Sequence, residues 1–312
     1  YTVRMDIINL GHTNIPVSTY SIGTATFGDV YGQTSLPELR EIVNKSILNG
    51  LNYFDTSPYY GNKLSEHNLG LCLEGRARDT FFISTKVGRY GDDIFNFTEE
   101  AIVRSLKQSM VRLKVDYVDI LYAHDVEFGD IDQIINETLP ALQKLKDAGK
   151  TRYIGFSCYP LDIMRKIIER SPIQIDVILT YGHGCLINNT LNTIIPFLKL
   201  RNIGIVNASP LCMGLISSNA VQEWHPAPYK MRDDIRRVSL DFKALYGLRI
   251  ETFAIQSVPE MFPDVHTTLV GIKNVAELDT LLDILSDQTQ IPSQYYKYVG
   301  SRLQHVLNKE LS

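Results

Sequence analysis

The sequence predicts an α/β fold: a (β/α)8 TIM barrel with a long loop after strand 7 and a C-terminal tail. Three observations carry that reading. Short apolar runs alternate with longer amphipathic ones throughout the chain, the pattern of strand-helix-strand units on a parallel sheet. Eight such apolar runs are present, the number that closes this barrel. The turn signature of an open, doubly wound sheet, Gly-x-Gly-x-x-Gly after the first strand, is missing, because Gly23-Thr-Ala-Thr-Phe-Gly does not fit it.

In chain order, the first strand is read at 20–24, followed by a helix at 37–49 that opens on Pro37, a good first-turn residue. The second strand, 52–55, closes on Asp55 and leads to a helix at 65–74. The third, 81–86, closes on Lys86. After it comes a helix at 98–113, with Thr98 as N-cap and Glu99 and Glu100 placed to complement the helix dipole. Strand 117–123 precedes a helix at 131–148, which Gly149 stops. The remaining pairs are 153–157 with 161–170, 177–180 with 191–200, 204–208 with 233–245, and 268–271 with 275–286. Thr24, Asp55, Lys86, Ala123 and Ser157 stand 31, 31, 37 and 34 residues apart, room for one strand, one helix and two loops each. From Ala208 to Gly271 the interval is 63 residues, so an extra element, including Glu223-Trp-His-Pro-Ala-Pro, is expected over the barrel mouth.

Composition narrows the function. Of the 312 residues, 44% are hydrophobic and 21% charged, ample for one core in a single domain over 1–312. Net charge is 31 − 35 = −4, and no dense Lys/Arg run exists to track nucleic acid or a membrane surface. Cys72, Cys158, Cys185 and Cys212 form no Cys-x-x-Cys pair, which reads as free thiols in a reducing, cytoplasmic setting, with no metal site. The first ten residues are charged at Arg4 and Asp6 and lack a signal-peptide core. No apolar run is long enough to span a membrane.

In a barrel, strand C-termini converge on one mouth. Asp55, Lys86, His124 and Ser157 close four consecutive strands, and Tyr60 follows the second. Alone, Asp55 reads as a turn cap, Tyr60 as a packed aromatic and His124 as a satisfied core histidine. Together they make one cluster. A Lys closing an apolar strand needs a carboxylate, which Asp55 supplies. Lys⁺ beside Tyr60 would lower its phenol from about 10 towards neutrality, and His124 would aim a hydrogen bond at a reacting oxygen. That is proton-transfer chemistry beside a carbonyl.

These residues, in Asp55-Thr-Ser-Pro-Tyr-Tyr-Gly, Thr85-Lys86-Val-Gly-Arg-Tyr, Asp116-Tyr-Val-Asp-Ile-Leu, Gly149-Lys-Thr-Arg-Tyr-Ile-Gly-Phe-Ser and Asn207-Ala-Ser-Pro-Leu-Cys-Met-Gly, resemble the aldo-keto reductase family from Leu10 to about Leu285. His124-Asp-Val-Glu-Phe-Gly, Leu139-Pro-Ala-Leu-Gln-Lys-Leu-Lys, Asp176-Val-Ile-Leu-Thr-Tyr and Glu223-Trp-His-Pro-Ala are similar to its sugar-oxidising branch, the L-galactose and D-arabinose dehydrogenases. The resemblance implies Tyr60 as general acid/base, Lys86 tuning it, Asp55 pairing with Lys86, and His124 orienting the substrate oxygen. It also implies cofactor-binding contacts at Thr24, Ser157, Ser209, Leu211, Met213, Gly271, Lys273 and Glu277. Three positions depart from the family pattern. Cys158 stands where many members have Asn, Ala208 where an aromatic commonly stacks, and Glu277 where NADP-using members have Arg. An acid at 277 would accept a ribose 2′-hydroxyl and repel a 2′-phosphate, so NAD is expected over NADP, with Lys273 opposing.

Phe27, Tyr31, Trp224 and His225 are expected to wall the substrate pocket. The leading reading is therefore a monomeric oxidoreductase taking a small sugar or carbonyl substrate, oxidising an aldose at C1 to a lactone. The alternatives are an NADPH-dependent reductase of aldehydes or ketones, and a nucleotide-binding regulatory subunit that kept the barrel.

Overall fold

Successive side chains on a strand point to opposite faces, so every second residue of each apolar run faces the barrel interior. In the computed structural model, which describes residues 7–287 and 289–310, this alternation closes a parallel barrel in the order β10-β3-β4-β5-β6-β7-β8-β9. Its strands are β3 (Tyr20–Gly23), β4 (Tyr53–Asp55), β5 (Phe82–Val87), β6 (Val118–Ala123), β7 (Thr151–Ser157), β8 (Val177–Tyr181), β9 (Gly204–Ala208) and β10 (Thr267–Gly271). Each expected strand is present to within two residues. Of the opening stretch read for a leader, residues 1–6 lie outside the described residues.

An antiparallel hairpin that the sequence reading did not contain, β1 (Ile7–Asn9) with β2 (Pro16–Ser18), precedes the barrel. Its three-residue strands are too short to show a period. The hairpin turn buries Leu10 and Ile15, and β2 buries Val17, against Tyr53, Ile120, Tyr122, Val177, Leu179, Val206 and Leu269, plugging the end of the barrel opposite the mouth. Gly11 has φ +60, and a Cβ there would sit 2.4 Å from the Gly204 backbone nitrogen at the start of β9, so only glycine lets the plug seat.

Outside the barrel lie α1 (Leu36–Leu48), α2 (Leu64–Leu73), α3 (Glu99–Leu113), α4 (Ile131–Gln133), α5 (Leu139–Asp147), α6 (Leu161–Arg170), α7 (Ile195–Lys199), α8 (Tyr229–Tyr246), α9 (Ile250–Met261), α10 (Val275–Ser286) and α11 (Ser293–Leu303). Two expected helices are interrupted at proline. Between α4 and α5 a π turn covers Ile134–Thr138 just before Pro140, and a 3₁₀ turn at Thr190–Thr193 precedes α7, whose second residue is Pro196. A ring with no N–H cannot complete the i to i−4 ladder, and the preceding turn changes pitch.

The extra element after β9 is a loop followed by both α8 and α9, and the C-terminal tail carries α11. These helices build a second apolar cluster, centred on Ile235, Phe242, Phe253 and Leu303, beside the mouth loops that hold Cys185, Cys212 and Ala227. Among the described residues no helix is long and apolar enough to cross a membrane.

Candidate active site

Backbone bonds that prolong the sheet fix the strand ends at the mouth. The Thr24 amide donates to Asp55 O (2.9 Å), Thr56 N to Ser84 O (3.0 Å), and His124 N to Val87 O (2.8 Å). Ser65, at the start of α2, braces the turn after β4: its hydroxyl donates to Thr24 O (2.6 Å) and lies 2.9 Å from Thr56 Oγ1. Gly61 then packs on the loop after β3, where a Cβ would lie 2.0 Å from Gly28 O. With φ +57 and that contact, the residue after Tyr60 has to be glycine.

This scaffold gathers all four cluster residues. The Lys86 ammonium, fully buried, donates to Asp55 Oδ2 at 2.5 Å, to Thr56 O at 2.9 Å and to the Tyr60 hydroxyl at 3.1 Å. The other Asp55 oxygen accepts from Ser84 Oγ (2.6 Å), which in turn accepts from the Tyr53 hydroxyl (2.8 Å). Both carboxylate oxygens are thus engaged, as a buried charge requires. The His124 ring stands edge-on to Tyr60, with centroids 5.9 Å apart. Its Nδ1 is 3.1 Å from Ser57 Oγ and its Nε2 3.5 Å from Asp125 Oδ2.

Electrostatics set the resting protonation. Burial, joined by the charges of Lys86 and Arg89 and opposed by Asp125, pulls His124 down to about 3, so its imidazole is neutral at pH 7. Burial also pushes the Tyr60 phenol well above its ordinary value, with the charges of Asp55 and Asp125 adding to the effect. The net effect is opposite to the lowering expected from Lys86: desolvation, with Asp55, Asp125 and Tyr31, outweighs the lowering by the Arg89 charge. Burial works against a charge on Asp125 as well, yet His124, Arg89 and the Ser157 hydroxyl hold it below the usual carboxylate range.

Arg89 and Asp125 were not singled out in the sequence, although both lie inside motifs that carried the resemblance. Arg89 Nη1 pairs with Asp125 Oδ2 at 2.6 Å, while its guanidinium covers the Tyr59 ring at 4.0 Å and its Nη2 donates to the Tyr59 hydroxyl at 3.1 Å. Glu127, in the next turn, is pushed up to about 7, chiefly by burial.

The other expected site residues divide. Tyr31 meets Trp224 edge to face at 5.5 Å across the mouth, and Trp224 is 47% exposed. Phe27 is fully buried in the main core and is not a pocket wall. His225 is also buried: Nε2 donates to Cys212 O (2.9 Å) and Nδ1 accepts from Ala227 N (3.0 Å), so it braces the loop that presents Trp224. Thr24 spends its hydroxyl on Asp55 O (2.8 Å), and Ser157 donates to Asp125 Oδ1 (2.9 Å) while accepting from Asp125 N (2.8 Å).

At the rim, Ser209 and Met213 have left-handed backbone (φ 58 and 54), and Leu211 lies between them, partly buried. Gly271 is exposed, and the Lys273 ammonium lies 2.8 Å from where a Gly32 Cβ would be. Glu277 Oε2 accepts from Lys273 N (2.8 Å), and its own amide donates to Asn274 Oδ1 (2.9 Å), a cap on α10. This rim offers the Lys273 cation for a phosphate, so its donor set fits a nicotinamide dinucleotide. Cys185 and Cys212 place their sulfurs 3.1 Å apart, and all four cysteines are free and buried.

A closed eight-stranded barrel with a buried Lys-Asp pair on a tyrosine at its mouth defines a class of oxidoreductase scaffold. The chain matches the Aldo/keto reductase family over residues 20–301 and belongs to it. It is similar to L-galactose dehydrogenase of Arabidopsis thaliana, 39% identical over 280 residues covering 88% of this chain and 86% of the relative. D-arabinose 1-dehydrogenase of Saccharomyces cerevisiae is 34% identical, covering 70% of this chain and 68% of that one. D-threo-aldose 1-dehydrogenase of a Pseudomonas species is 29% identical, covering 72% and 76%. An aldo-keto reductase of Bacillus halodurans, solved in its holo form, shares the fold with TM-score 0.78 at 22% identity, covering 96% of each chain. The protein is an NAD(P)-dependent oxidoreductase.

Proposed function

We propose that this enzyme oxidises an aldose at C1, with Tyr60 as the general acid/base, and releases the lactone. The observation that carries this reading is the Lys86 ammonium, held by Asp55 and pointing at the Tyr60 hydroxyl from 3.1 Å. Similarity to three aldose dehydrogenases supports the substrate class. When bound, the oxidised nicotinamide supplies the hydride acceptor and a positive charge. Tyr60 first loses its own proton to solvent, the Lys86 ammonium stabilising the phenolate, and then takes the C1 hydroxyl proton as hydride leaves C1. His124, neutral, donates a hydrogen bond to the same substrate oxygen. Trp224 and Tyr31 offer aromatic faces and edges at the mouth to a sugar ring.

NAD is the proposed cofactor, because the Glu277 carboxylate lies beside the rim expected to hold the ribose. The proposed setting is a monomer in a reducing cytosol. A second reading, NADPH-dependent reduction of aldehydes or ketones, draws on the Tyr60 phenol being held in its protonated, donating form and on the Lys273 charge. A panel of aldoses with NAD and NADP, followed by absorbance of the reduced nicotinamide, tests both. The proposal predicts NADH from at least one aldose. No reduced cofactor from any aldose, together with NADPH-driven carbonyl reduction, selects the second reading.

A further inference from the structure

Ser57, in the turn between Asp55 and Tyr60, has a fully buried hydroxyl with two close partners. The Tyr59 amide donates to its oxygen at 3.1 Å, and His124 Nδ1 lies 3.1 Å away. A serine hydroxyl carries one hydrogen, and an amide N–H has already taken one of its acceptor positions. Two arrangements remain. Either Ser57 donates to a bare Nδ1, or Nδ1–H donates to Ser57 and leaves the buried serine hydrogen with no acceptor among the described residues, a costly loss.

The other edge of the ring selects between them independently. Nε2 faces Asp125 Oδ2 at 3.5 Å, and that carboxylate, paired with Arg89 at 2.6 Å, is an acceptor only. A bare Nε2 would set lone pair against lone pair. A protonated Nε2 meets an attractive group instead. At 3.5 Å the contact is too long for a full hydrogen bond, so the hydrogen stays available to an oxygen arriving at the mouth.

We infer that Ser57 is a positioning residue that locks His124 as its Nε2–H tautomer, so that the ring presents a donor, and never a lone pair, to the substrate oxygen. Ser57 is fully buried and acts through His124. The effect on turnover rests on the aldose dehydrogenase reading, whereas the tautomer itself does not. With the wrong tautomer, a lone pair would face the hydroxyl or carbonyl oxygen that has to be polarised, and the site would repel the group it is built to hold.

The test is nitrogen-15 NMR of the histidine side chains at pH 7.5 in the unliganded protein, with the His124 signals assigned by their absence in His124→Asn. The wild type is expected to show a bare Nδ1 and a protonated Nε2. Ser57→Ala is expected to mix the two tautomers and to lower kcat more than it raises KM, by roughly tenfold in kcat/KM. Ser57→Thr, which keeps the hydroxyl, is expected to restore both readouts; thermal unfolding identifies a variant that fails only because its fold is loosened. An Nδ1–H wild type, or a pure Nε2–H tautomer persisting in Ser57→Ala, overturns the inference. If the wild type oxidises no aldose but its NMR shows the Nε2–H form, the function reading fails and the positioning of His124 by Ser57 stands.

Discussion

Lys86 is fully buried, so Asp55 at 2.5 Å is what makes its charge tolerable in the barrel. Lys86→Met would leave the Asp55 carboxylate buried with Ser84 as its remaining partner. The expected cost is about 3–5 kcal/mol, read from urea unfolding, because an unpaired buried ion is worse than no ion pair at all. A loss below about 1 kcal/mol would mean that water reaches Asp55. Much of the site was legible at this scale: Asp55, Tyr60, Lys86 and His124 sit at or just after strand ends, and topology alone brings them together. Ser57, Ser84 and Arg89 were not legible. A serine in a Thr-Ser-Pro turn reads as turn chemistry, and nothing in the local pattern around Ser84 or Arg89 marks the partner each one finds. Only the packing turns them into supports. Phe27 and His225 erred the other way, since loop position suggested exposure and the side chains fold inward.

At the scale of elements, the turn after β4 is tightly constrained by its packing on the loop after β3. Gly61→Ala requires a left-handed alanine whose Cβ would lie 2.0 Å from Gly28 O and push that loop away, so destabilisation by about 2 kcal/mol or more is expected, with displacement of Tyr60. Unchanged melting and turnover in that variant would contradict the packing of the two mouth loops. At the N-terminus of α10, Glu277 serves as a cap whatever it does for the cofactor. Glu277→Ala should cost about 1 kcal/mol of stability and shift the ratio of NADH to NADPH affinity towards NADPH. An unaltered ratio in a fluorescence titration would leave Glu277 as a cap alone. The strands were readable because apolar runs of β-branched and aromatic residues recur at even spacing. Helix interiors at Pro140 and Pro196 were misread as continuous, since amphipathic period survives a local change of pitch. The β1–β2 hairpin, α9 and α11 escaped because three-residue strands carry no period, α9 is apolar on most faces, and α11 lies beyond the last repeat.

Across the whole molecule, the barrel's interior below the mouth is closed by the hairpin and filled with aromatic and aliphatic side chains, leaving chemistry at one end. Burial of neutral His124 links that end to global stability. Its folded value, about 3, lies below the ordinary value near 6.5, so the unfolded chain binds more protons between the two. The contribution is fully present above about pH 6.5 and is lost as pH falls from there towards 3. Melting temperature should therefore drop across that window more steeply in the wild type than in His124→Asn; identical slopes would place the acid sensitivity elsewhere.

The central claim is that the Tyr60 hydroxyl, held by Lys86 and Asp55, moves the proton while hydride leaves an aldose. Its most direct test is aldose-dependent NADH formation by wild type and Tyr60→Phe, with NADH binding measured on both. The account predicts a loss of at least about a hundredfold in kcat for Tyr60→Phe with cofactor affinity retained. Wild-type turnover that survives intact in Tyr60→Phe would contradict it.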